Sequence, residues 1–588
     1  MNTDIIVVSI TESHRFLGPG MSLFSYFDFK SMKFDWDFKR YGMRGGVFDH
    51  IIHHQYTSLD DYENVFVKGN IKENKSTLDS NIGTANGIRL NGLLLSQHLR
   101  KAGWNPLLIM NAASESNKFR ALLKRKPFAV VISATFILEA SIVRNLAKTI
   151  KKFSPKTYIL VGGPKITKNY LAYCETKKSP ISEYISLSNR FFLLKSQFFM
   201  FTLLDRHIDV FIPSYPGWKT LLSVLEAISK GQQWRNHNNT ICVDPLRNRF
   251  IINKMEADLT SINEDELDWK LAYSTNKEYF TFNSQSIEFG RGCPLHCSFC
   301  DFRTSNITNK EYDTFVRELE SISSLPFITH LRFTDENLFS SKRKLEVFTK
   351  AMLNFEGRFT WDSTSTSLIH LDDEAAEKLA KTGCIYLESS MESGDKNLLK
   401  NHINKHIYPE RFLENVSILN KHNIDTRISF IVCHPGETSD SINNTLNVVR
   451  EIPRDGPGIN YVEFHKFFLS LDTAYLNSSE GRRKYDLHGV SFKWKTKTWN
   501  YKKAEEVFQE IVESIEYPST VNNILIKKEL AEFKTRHYYD LLELLKYAHK
   551  LTVAQYRDKQ IQQVHYADRI RDVLVNKLLP DYKTASEQ

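Results

Sequence analysis

The sequence is poor in cysteine and has no long apolar run, and both absences exclude whole classes of protein. Seven cysteines in 588 residues are too few, and odd in number, for the disulfide framework of a secreted protein. The first ten residues lack the basic region of a signal peptide. The most apolar later stretch, 191–204, contains Lys195 and Gln197 and is too short to span a bilayer. We therefore expect a soluble, cytoplasmic protein with no membrane partner.

The chain also lacks a strong excess of one charge and any low-complexity tract. It has 78 Lys and Arg against 69 Asp and Glu, a net charge of +9, and 41% of its residues are hydrophobic. These values are typical of globular domains and exclude a mainly disordered chain. Because the basic residues are scattered, a nucleic-acid partner is not expected. Frequent aromatic residues, 12% of the chain, favour large buried surfaces or planar ligands.

Apolar runs that alternate with helix-patterned segments predict an α/β protein. In the first part the predicted strands are 5–10, 106–110, 128–133, 158–161 and 208–212, with helices at 93–102 and 218–228. This alternation predicts a doubly wound, Rossmann-like parallel sheet over residues 1–232, with insertions at 27–85 and 165–208. Residues 233–284 read as a linker.

The alternation resumes after the linker. Predicted strands are 286–289, 330–334, 359–362, 384–388, 425–432 and 461–468, with helices between them. Six strand–helix units predict a partial (β/α)6 barrel over residues 285–489. Residues 490–588 are helix-patterned and predict a mostly helical C-terminal region.

Three of the seven cysteines lie in one short loop directly after a predicted strand. Cys293, Cys297 and Cys300 have C-x3-C-x2-C spacing. Three thiolates at this spacing can hold an iron–sulfur cubane and leave one iron open to a further ligand. The alternative is a zinc site completed by His296 or a distant ligand, although zinc sites usually pair two separated ligand motifs.

This loop resembles the C-x3-C-x-aromatic-C motif of the radical S-adenosylmethionine (SAM) enzymes, with Phe299 as the aromatic residue. The resemblance implies a [4Fe–4S] cluster on the three cysteines, with SAM chelated at the open iron. It also implies reductive cleavage of SAM to a 5′-deoxyadenosyl radical, inside a partial (β/α)6 barrel.

Motifs downstream of the loop resemble the same family in the expected order. The acidic end of the second barrel strand, with Asp335 and Glu336, resembles the segment that holds the SAM amine. Glu392 and Ser393 resemble the pair that contacts SAM after the fourth strand, and Arg427 lies on the next strand. The segment 434–438 resembles the Pro-Gly-Glu-Thr segment after the fifth strand. The resemblance implies SAM binding by these side chains and by Phe299.

The predicted N-terminal domain resembles the cobalamin-binding domain of class B radical SAM methylases. The resemblance rests on the strand ends with Ser133, Ala134, Gly162, Gly163 and Pro164, which it implies as cobalamin contacts. The sequence departs from the wider family in having 111–114 (NAAS) where an Asp-x-His-x-x-Gly motif would provide a lower cobalt ligand.

The function that the resemblance implies is a cobalamin-dependent radical SAM methyltransferase acting on a carbon of a small molecule or peptide. An external reductant such as flavodoxin or ferredoxin is implied as a partner. Two alternatives stay open: radical rearrangement or cyclisation without methyl transfer, and a non-enzymatic iron–sulfur or zinc protein that binds nucleic acid. Methylthio transfer to transfer RNA is disfavoured, because residues 1–150 contain no cysteine for a second cluster.

Overall fold

The computed structural model describes most of the chain and divides it into two compact units. The described residues are 4–10, 89–178, 199–300, 307–514 and 569, apart from short gaps at 113–114, 136–139, 200, 202, 245–248, 258–259, 281–283, 454–456, 459, 470–472, 474, 476–478 and 490–493. Unit 1 contains the described residues up to Phe280, and unit 2 contains those from Ser284 onward.

Unit 1 is built on a seven-stranded sheet. Its strands are β1 (Asp4–Ile10), β2 (Asn105–Asn111), β3 (Ala129–Ser133), β4 (Tyr158–Gly162), β5 (Val210–Ile212), β6 (Ile241–Asp244) and β7 (Arg249–Ile252). The order is β2-β1-β3-β4-β5-β6-β7, and the pairs among β1 to β5 are parallel. The strand order reverses between β1 and β3, and ligands of doubly wound sheets bind at the carboxyl ends of strands beside such a point.

Buried β-branched residues explain the central strands of unit 1. Ile5 to Val8 of β1 are inaccessible to solvent, as expected for a strand covered on both faces. The helices of this unit are α1 (Leu90–Lys101), α2 (Ser116–Lys124), α3 (Ala140–Phe153), α4 (Pro164–Lys178), α5 (Trp218–Ser229) and α6 (Trp269–Thr275). In α3 the buried residues Val143, Ala147 and Ile150 recur at helical spacing and join the core cluster of the sheet.

Two boundaries of unit 1 differ from the sequence-based expectation. The segment 233–284 was expected as a linker, but β6 and β7 within it extend the sheet by antiparallel pairing. The expected insertion 165–208 begins as α4, a regular helix between β4 and β5. The rest of that stretch lies largely outside the described residues, as do residues 27–85.

Unit 2 contains a six-stranded, all-parallel sheet with its strands in chain order. The strands are β8 (Ser284–Ile287), β11 (His330–Phe333), β12 (Thr360–Ser363), β13 (Cys384–Glu392), β14 (Asp425–Val432) and β15 (Asn460–Lys466). Each strand pairs in parallel with the next. A short antiparallel pair, β9 (Gly290–Arg291) with β10 (Thr308–Asn309), lies directly after β8. The prediction of a partial (β/α)6 barrel is confirmed.

The helices of unit 2 cover one face of this sheet with apolar residues. They are α7 (Tyr312–Ser323), α8 (Lys342–Leu353), α9 (Asp373–Lys381), α10 (Lys396–Leu398), α11 (Pro409–Lys421), α12 (Ser439–Glu451), α13 (Ser479–Tyr485) and α14 (Tyr501–Ser514), with a π-helical turn at Leu399–Ile403. Phe333 and Trp361 on the strands pack against Phe348 of α8, with ring centroids 4.8 and 5.0 Å away. Their strand neighbours Arg332 and Asp362 therefore face the opposite side of the sheet.

The described part of the C-terminal region is helical, as expected. The predicted helix at 502–515 corresponds to α14, while the other expected helices near 540–551 and 567–578 fall outside the described residues apart from Arg569. No helix among the described residues combines the length and the apolar character that crossing a bilayer requires.

Candidate functional site

The cysteine loop of unit 2 is held at both ends by backbone pairing. β9 and β10, which flank the cysteines in the sequence, pair with each other shortly after β8. Within the loop the amide of Cys300 donates to the carbonyl of Cys297 (3.1 Å), and the amide of Ser298 donates to the carbonyl of Ile403 (2.7 Å). Cys297 is buried, and Cys293 and Cys300 are partly exposed.

The charges around the three thiols suit a negatively charged, sulfur-ligated group. Burial raises the pKa of the Cys297 thiol to about 12, with Lys405 acting in the opposite direction and the neighbouring thiols Cys293 and Cys300 raising it further. Lys405 is buried, and although burial opposes its charge, Glu392 and the thiols Cys297 and Cys293 raise its pKa. The buried Lys405 ammonium group favours the thiolate form of Cys297, and thiolates are the forms that bind a cluster.

The donor set fits an iron–sulfur cluster better than zinc. Three thiols lie in one loop, whereas His296 is exposed, and within the described part of the chain its backbone carbonyl accepts from the Asn404 side chain at 3.0 Å. No set of three or more His, Cys, Asp or Glu side chains among the described residues already surrounds a common point. The three thiols of this one loop are the donors that a [4Fe–4S] cluster with one open iron requires.

The acidic segment after β11 contacts the cysteine loop through three consecutive residues. Asp335 accepts a hydrogen bond from the amide of Phe289 (3.0 Å), and Glu336 accepts one from the amide of Gly292 (3.0 Å). The Asn337 side chain donates to the thiol of Cys293 (3.5 Å). Burial raises the pKa of Glu336. The sequence-predicted residues Asp335 and Glu336 thus lie beside the loop that they were expected to serve.

Asp335 is already committed to a buried ion pair. Lys344, from the first turn of α8, donates to Asp335 (2.9 Å) and to the carbonyl of Asn337 (3.0 Å). The side chains of the two ion-pair partners, lysine and aspartate, are 2% and 0% exposed. Gly290 leaves the space for this ammonium group, because a Cβ at that position would lie 2.4 Å from Nζ of Lys344. Glu336 accepts a hydrogen bond from a backbone amide, whereas Asp335 is paired with a buried lysine. Glu336 is therefore the better candidate of the two for binding a ligand.

The end of β13 brings a second acidic group to the loop. Glu392 has a positive φ of 72° and pairs with Lys405 (3.0 Å). Lys405 also donates to the carbonyl of Ser390. Ser393 is buried and faces the other way: its hydroxyl is 3.1 Å from that of Thr445 in α12 and accepts from the Asp395 amide (3.1 Å). Of this predicted pair, Glu392 lies near the thiols and Ser393 supports the turn.

Arg427 belongs to a charged network on the polar face of the sheet. Its guanidinium pairs with Glu388 (3.1 Å) and with Glu463, which also pairs with His465 (3.2 Å). On the same face Arg332 binds Asp362 through two hydrogen bonds, 2.9 and 2.5 Å long. The side chains of Glu388 and His465 are 21% and 33% exposed, the most accessible of the Arg427 network. The polar face therefore offers both signs of charge to a ligand.

In unit 1 the predicted strand-end residues meet at the carboxyl ends of β3 and β4. Ser133 is paired with Gly162, and the amide of Ala134 donates to the Gly162 carbonyl (2.7 Å). Gly163 has a φ of 107°, which an L side chain rarely adopts, and Pro164 is the first residue of α4. All five predicted residues lie in this turn region, which we call the β3–β4 edge.

A polar bridge extends the β3–β4 edge to β1. Asn91 of α1 donates to Ser133 (2.8 Å) and to the carbonyl of Ser9 (3.1 Å), and it accepts from the Ser9 hydroxyl (2.8 Å). The Ser133 hydroxyl is also 2.9 Å from that of Thr135. Small hydroxyl side chains thus line the strand ends at the reversal of strand order, where a ligand of this sheet would bind.

Sequence reasoning did not single out several residues that the structure brings to the site. Lys405, Lys344 and Asn91 are examples, and His434 was quoted only as part of a motif. A lysine in a polar segment carries no periodic signal, and its partner is visible only after folding. For Asn337, adjacency to the acidic pair was the available signal.

Comparison with known proteins identifies the cysteine-bearing unit. Residues 287–449 match the radical SAM superfamily. An uncharacterized methyltransferase of Pyrococcus horikoshii is 24% identical over 341 residues, covering 54% of this chain and 68% of that protein. The anaerobic magnesium-protoporphyrin IX monomethyl ester cyclase of Rubrivivax gelatinosus is 21% identical over 244 residues. That match covers 40% of this chain and less than half of the cyclase, 43%.

Solved structures share the fold. The cobalamin-dependent SAM radical enzyme OxsB, with aqua-cobalamin and SAM bound, superposes with a TM-score of 0.54 over 84% of this chain and 78% of its own, at 15% identity. The radical SAM methyltransferase TsrM of Kitasatospora setae gives a TM-score of 0.50 over 66% of this chain and 72% of its own, at 14% identity. The matched family uses a [4Fe–4S] cluster and SAM, and the cysteine loop has the family's spacing. Residues 287–449 of this chain therefore form a radical SAM domain.

Proposed function

We propose that the protein is a cobalamin-dependent radical SAM methyltransferase that modifies a carbon of a polar small molecule or peptide. The observation that carries the proposal is the presence, in one chain, of a radical SAM sheet and a separate doubly wound sheet. The second sheet has hydroxyl-lined strand ends at its reversal of strand order. The relative named as a methyltransferase supports the reaction class.

The first step of the proposal assigns the cluster and SAM to unit 2, with residues 285–489 as the catalytic domain. Cys293, Cys297 and Cys300 hold the [4Fe–4S] cluster, which when bound supplies the electron that cleaves SAM. Glu336 lies beside the loop as the first carboxylate for the SAM ammonium group, Glu392 is a second one that shares its charge with Lys405, and Phe299 packs its ring against His434. Asp335, Ser393 and Arg427 support this arrangement through their ion pairs and hydrogen bonds.

The second step assigns the corrinoid to the β3–β4 edge of unit 1. Its members Ser133, Ala134, Gly162 and Gly163 carry small side chains or none, so a large flat ring can approach the backbone closely. Cobalamin, when bound, carries the methyl group. The Asn111 position that replaces the expected histidine motif offers no imidazole to cobalt, so we propose binding without a histidine from that position.

The third step concerns the substrate. The polar face of the unit 2 sheet carries Arg332, Asp362, Glu388, Arg427 and Glu463, all in ion pairs. An apolar substrate would remove the remaining water from these ion pairs and offer no hydrogen bond in return, and burying charged groups without new hydrogen bonds is costly. A substrate with hydrogen-bonding groups of its own fits this face. An external one-electron reductant completes the proposed reaction.

The test is an anaerobic reconstitution of the full chain with iron, sulfide and hydroxocobalamin. Desalted protein should retain the corrinoid absorption bands, and SAM labelled in its methyl group should be cleaved after reduction. A Gly163→Val variant should lose corrinoid but keep iron, and Gly103→Val, also at positive φ but with open space around it, is the matched control. Absence of corrinoid from the wild-type protein would refute the proposal.

A second candidate, radical cyclisation or rearrangement without methyl transfer, is favoured by the similarity to the Rubrivivax gelatinosus cyclase. The same labelled SAM separates the two functions once a substrate is found. Label in the product identifies a methyltransferase. Release of 5′-deoxyadenosine with an unlabelled product identifies the second reaction.

A further inference from the structure

A fully buried histidine stands beside the cysteine loop. His434 follows β14 after Cys433, a residue with a positive φ of 65°, and none of its surface is exposed. Its ring contacts Phe299 of the cysteine loop and Phe467, with centroid distances of 5.4 Å to each. Phe299 immediately precedes Cys300, so this imidazole packs directly against the segment that carries the predicted cluster ligands.

The polar atoms of this ring are unsatisfied. Neither Nδ1 nor Nε2 of His434 has a hydrogen-bond partner among the described residues, although the backbone amide of His434 donates to Glu437 (3.1 Å). Burial lowers the pKa of His434 to about 3, with Lys405 and His402 adding to the effect, so the ring is neutral near pH 7 and carries one N–H. A buried donor without an acceptor costs about 1–3 kcal/mol.

The remaining polar neighbours do not accept this proton. Glu437 is the acid nearest in sequence. One of its carboxylate oxygens accepts a hydrogen bond from the backbone amide of His434, and the other makes no hydrogen bond among the described residues, so neither accepts from the ring. Lys405 lies near the thiols of Cys297 and Cys293, and its ammonium group can donate but not accept a hydrogen bond. Its positive charge also lowers the pKa of His434. The segment that packs against this ring, at Phe299, also carries Cys297 and Cys300, so sulfur, as sulfide or as cysteine thiolate, is an acceptor that this segment can bring toward the ring. Hydrogen bonds to sulfur are one of the means by which proteins set the potential of such clusters.

We propose that His434 donates a hydrogen bond to a sulfur atom of the cluster held by Cys293, Cys297 and Cys300, and thereby makes the cluster easier to reduce. His434 is a positioning residue, because it acts through the cluster and not on the substrate. The proposal rests on the cluster of the radical SAM unit and is independent of cobalamin and of methyl transfer.

The test compares cluster potentials in the anaerobically reconstituted full chain, followed by electron paramagnetic resonance during redox titration. His434→Leu removes the donor and should make reduction about tenfold less favourable, a shift of about 59 mV to more negative potential for one electron. His434→Asn and His434→Gln place an amide N–H near Nδ1 or Nε2, and one of them should restore the wild-type value. Phe467→Leu loosens the packing of the ring against Phe467 without removing the donor and is the control, with a shift of less than threefold expected.

Two results would overturn the proposal. One is a wild-type potential in His434→Leu with an intact cluster, and the other is an equal shift in all three His434 variants. Pulsed electron–nuclear spectroscopy on wild-type protein containing ¹⁵N-histidine decides the question if the variants fail to bind iron. A weak nitrogen coupling with an exchangeable proton is expected. No coupling, or a coupling strong enough for a direct iron ligand, contradicts the proposal.

Discussion

Removing the ammonium group of Lys344 should destabilise unit 2 through the carboxylate it leaves behind. Lys344→Met preserves the length of the side chain but leaves Asp335 charged in a position that is fully inaccessible to solvent. Breaking a buried pair on one side costs about 3–5 kcal/mol, because the remaining charge is neither solvated nor paired. For a domain of this size each kcal/mol lowers the melting temperature by about 2–4 °C, so a decrease of about 6–20 °C is expected.

The double variant Asp335→Asn/Lys344→Met separates the charge from the packing. The side-chain amide introduced by Asp335→Asn would still accept the hydrogen bond from the amide of Phe289 but would carry no charge. We expect the double variant to be more stable than Lys344→Met alone, with a coupling energy of about 2–3 kcal/mol between the two positions. Denaturation of the iron-free full chain under reducing conditions measures this, with hydrogen exchange over 286–292 and 330–345 to assign the transition to unit 2.

The same variants test whether Asp335 stabilises the fold or binds SAM. When loaded with a cluster, the double variant should bind SAM within about threefold of wild type, a change of less than about 0.7 kcal/mol, whereas Glu336→Gln should bind it at least tenfold more weakly. The reasoning is refuted if Lys344→Met costs less than about 1 kcal/mol, well below the range for a broken buried pair, or if the double variant is no more stable than the single one.

Three further predictions concern other parts of the two units. Gly290→Ala should lower the iron content of the reconstituted protein, because its Cβ would lie 2.9 Å from the backbone carbonyl oxygen of Thr308 and would disturb the β9–β10 pair beside the cysteines; an iron content equal to that of wild type would contradict this. Burial raises the pKa of Glu437 to about 8, so this group destabilises the fold increasingly as pH rises from about 4.5 to 8. Glu437→Gln should therefore gain stability over wild type at pH 8 and little at pH 5, and denaturation at both pH values gives the comparison. Gly163→Ala should weaken corrinoid binding, because an added Cβ would lie 3.2 Å from the amide nitrogen of Ala134 at a φ of 107°; a corrinoid titration by absorbance that matches wild type would speak against the β3–β4 edge.

The regular part of the fold could be predicted from local patterns. Continuous β-branched runs such as Ile5 to Val8 are buried on both faces and correspond to central parallel strands. The strands β6 and β7 were not predicted as part of the sheet. They are short, they pair antiparallel at its edge, and β7 is partly exposed along most of its length, so their apolar pattern is weak. The helix α2 was missed for the same reason, since only Phe119 and Leu123 of its residues are buried.

The sequence could predict the type of site and its cysteine and acidic residues, but not the lysines that pair with the acidic side chains. The spacing of the cysteines and the order of the acidic motifs are local and directly visible. The cations that hold the acidic side chains come from other segments: Lys344 pairs with Asp335, and Lys405 pairs with Glu392. Such pairs form because strand ends converge at one edge of a parallel sheet, and a single sequence contains no signal for which lysine will arrive there.

The central claim is that the cysteine loop of unit 2 holds a cluster that engages SAM. The most direct measurement is electron paramagnetic resonance of the reduced, reconstituted full chain before and after addition of SAM, with iron and sulfide determined on the same samples. We expect equal amounts of iron and sulfide, a cluster signal that changes when SAM is added, and loss of both the cluster iron and the signal in the triple variant Cys293→Ala/Cys297→Ala/Cys300→Ala. A cluster signal retained by the triple variant, or a wild-type signal indifferent to SAM, would contradict it.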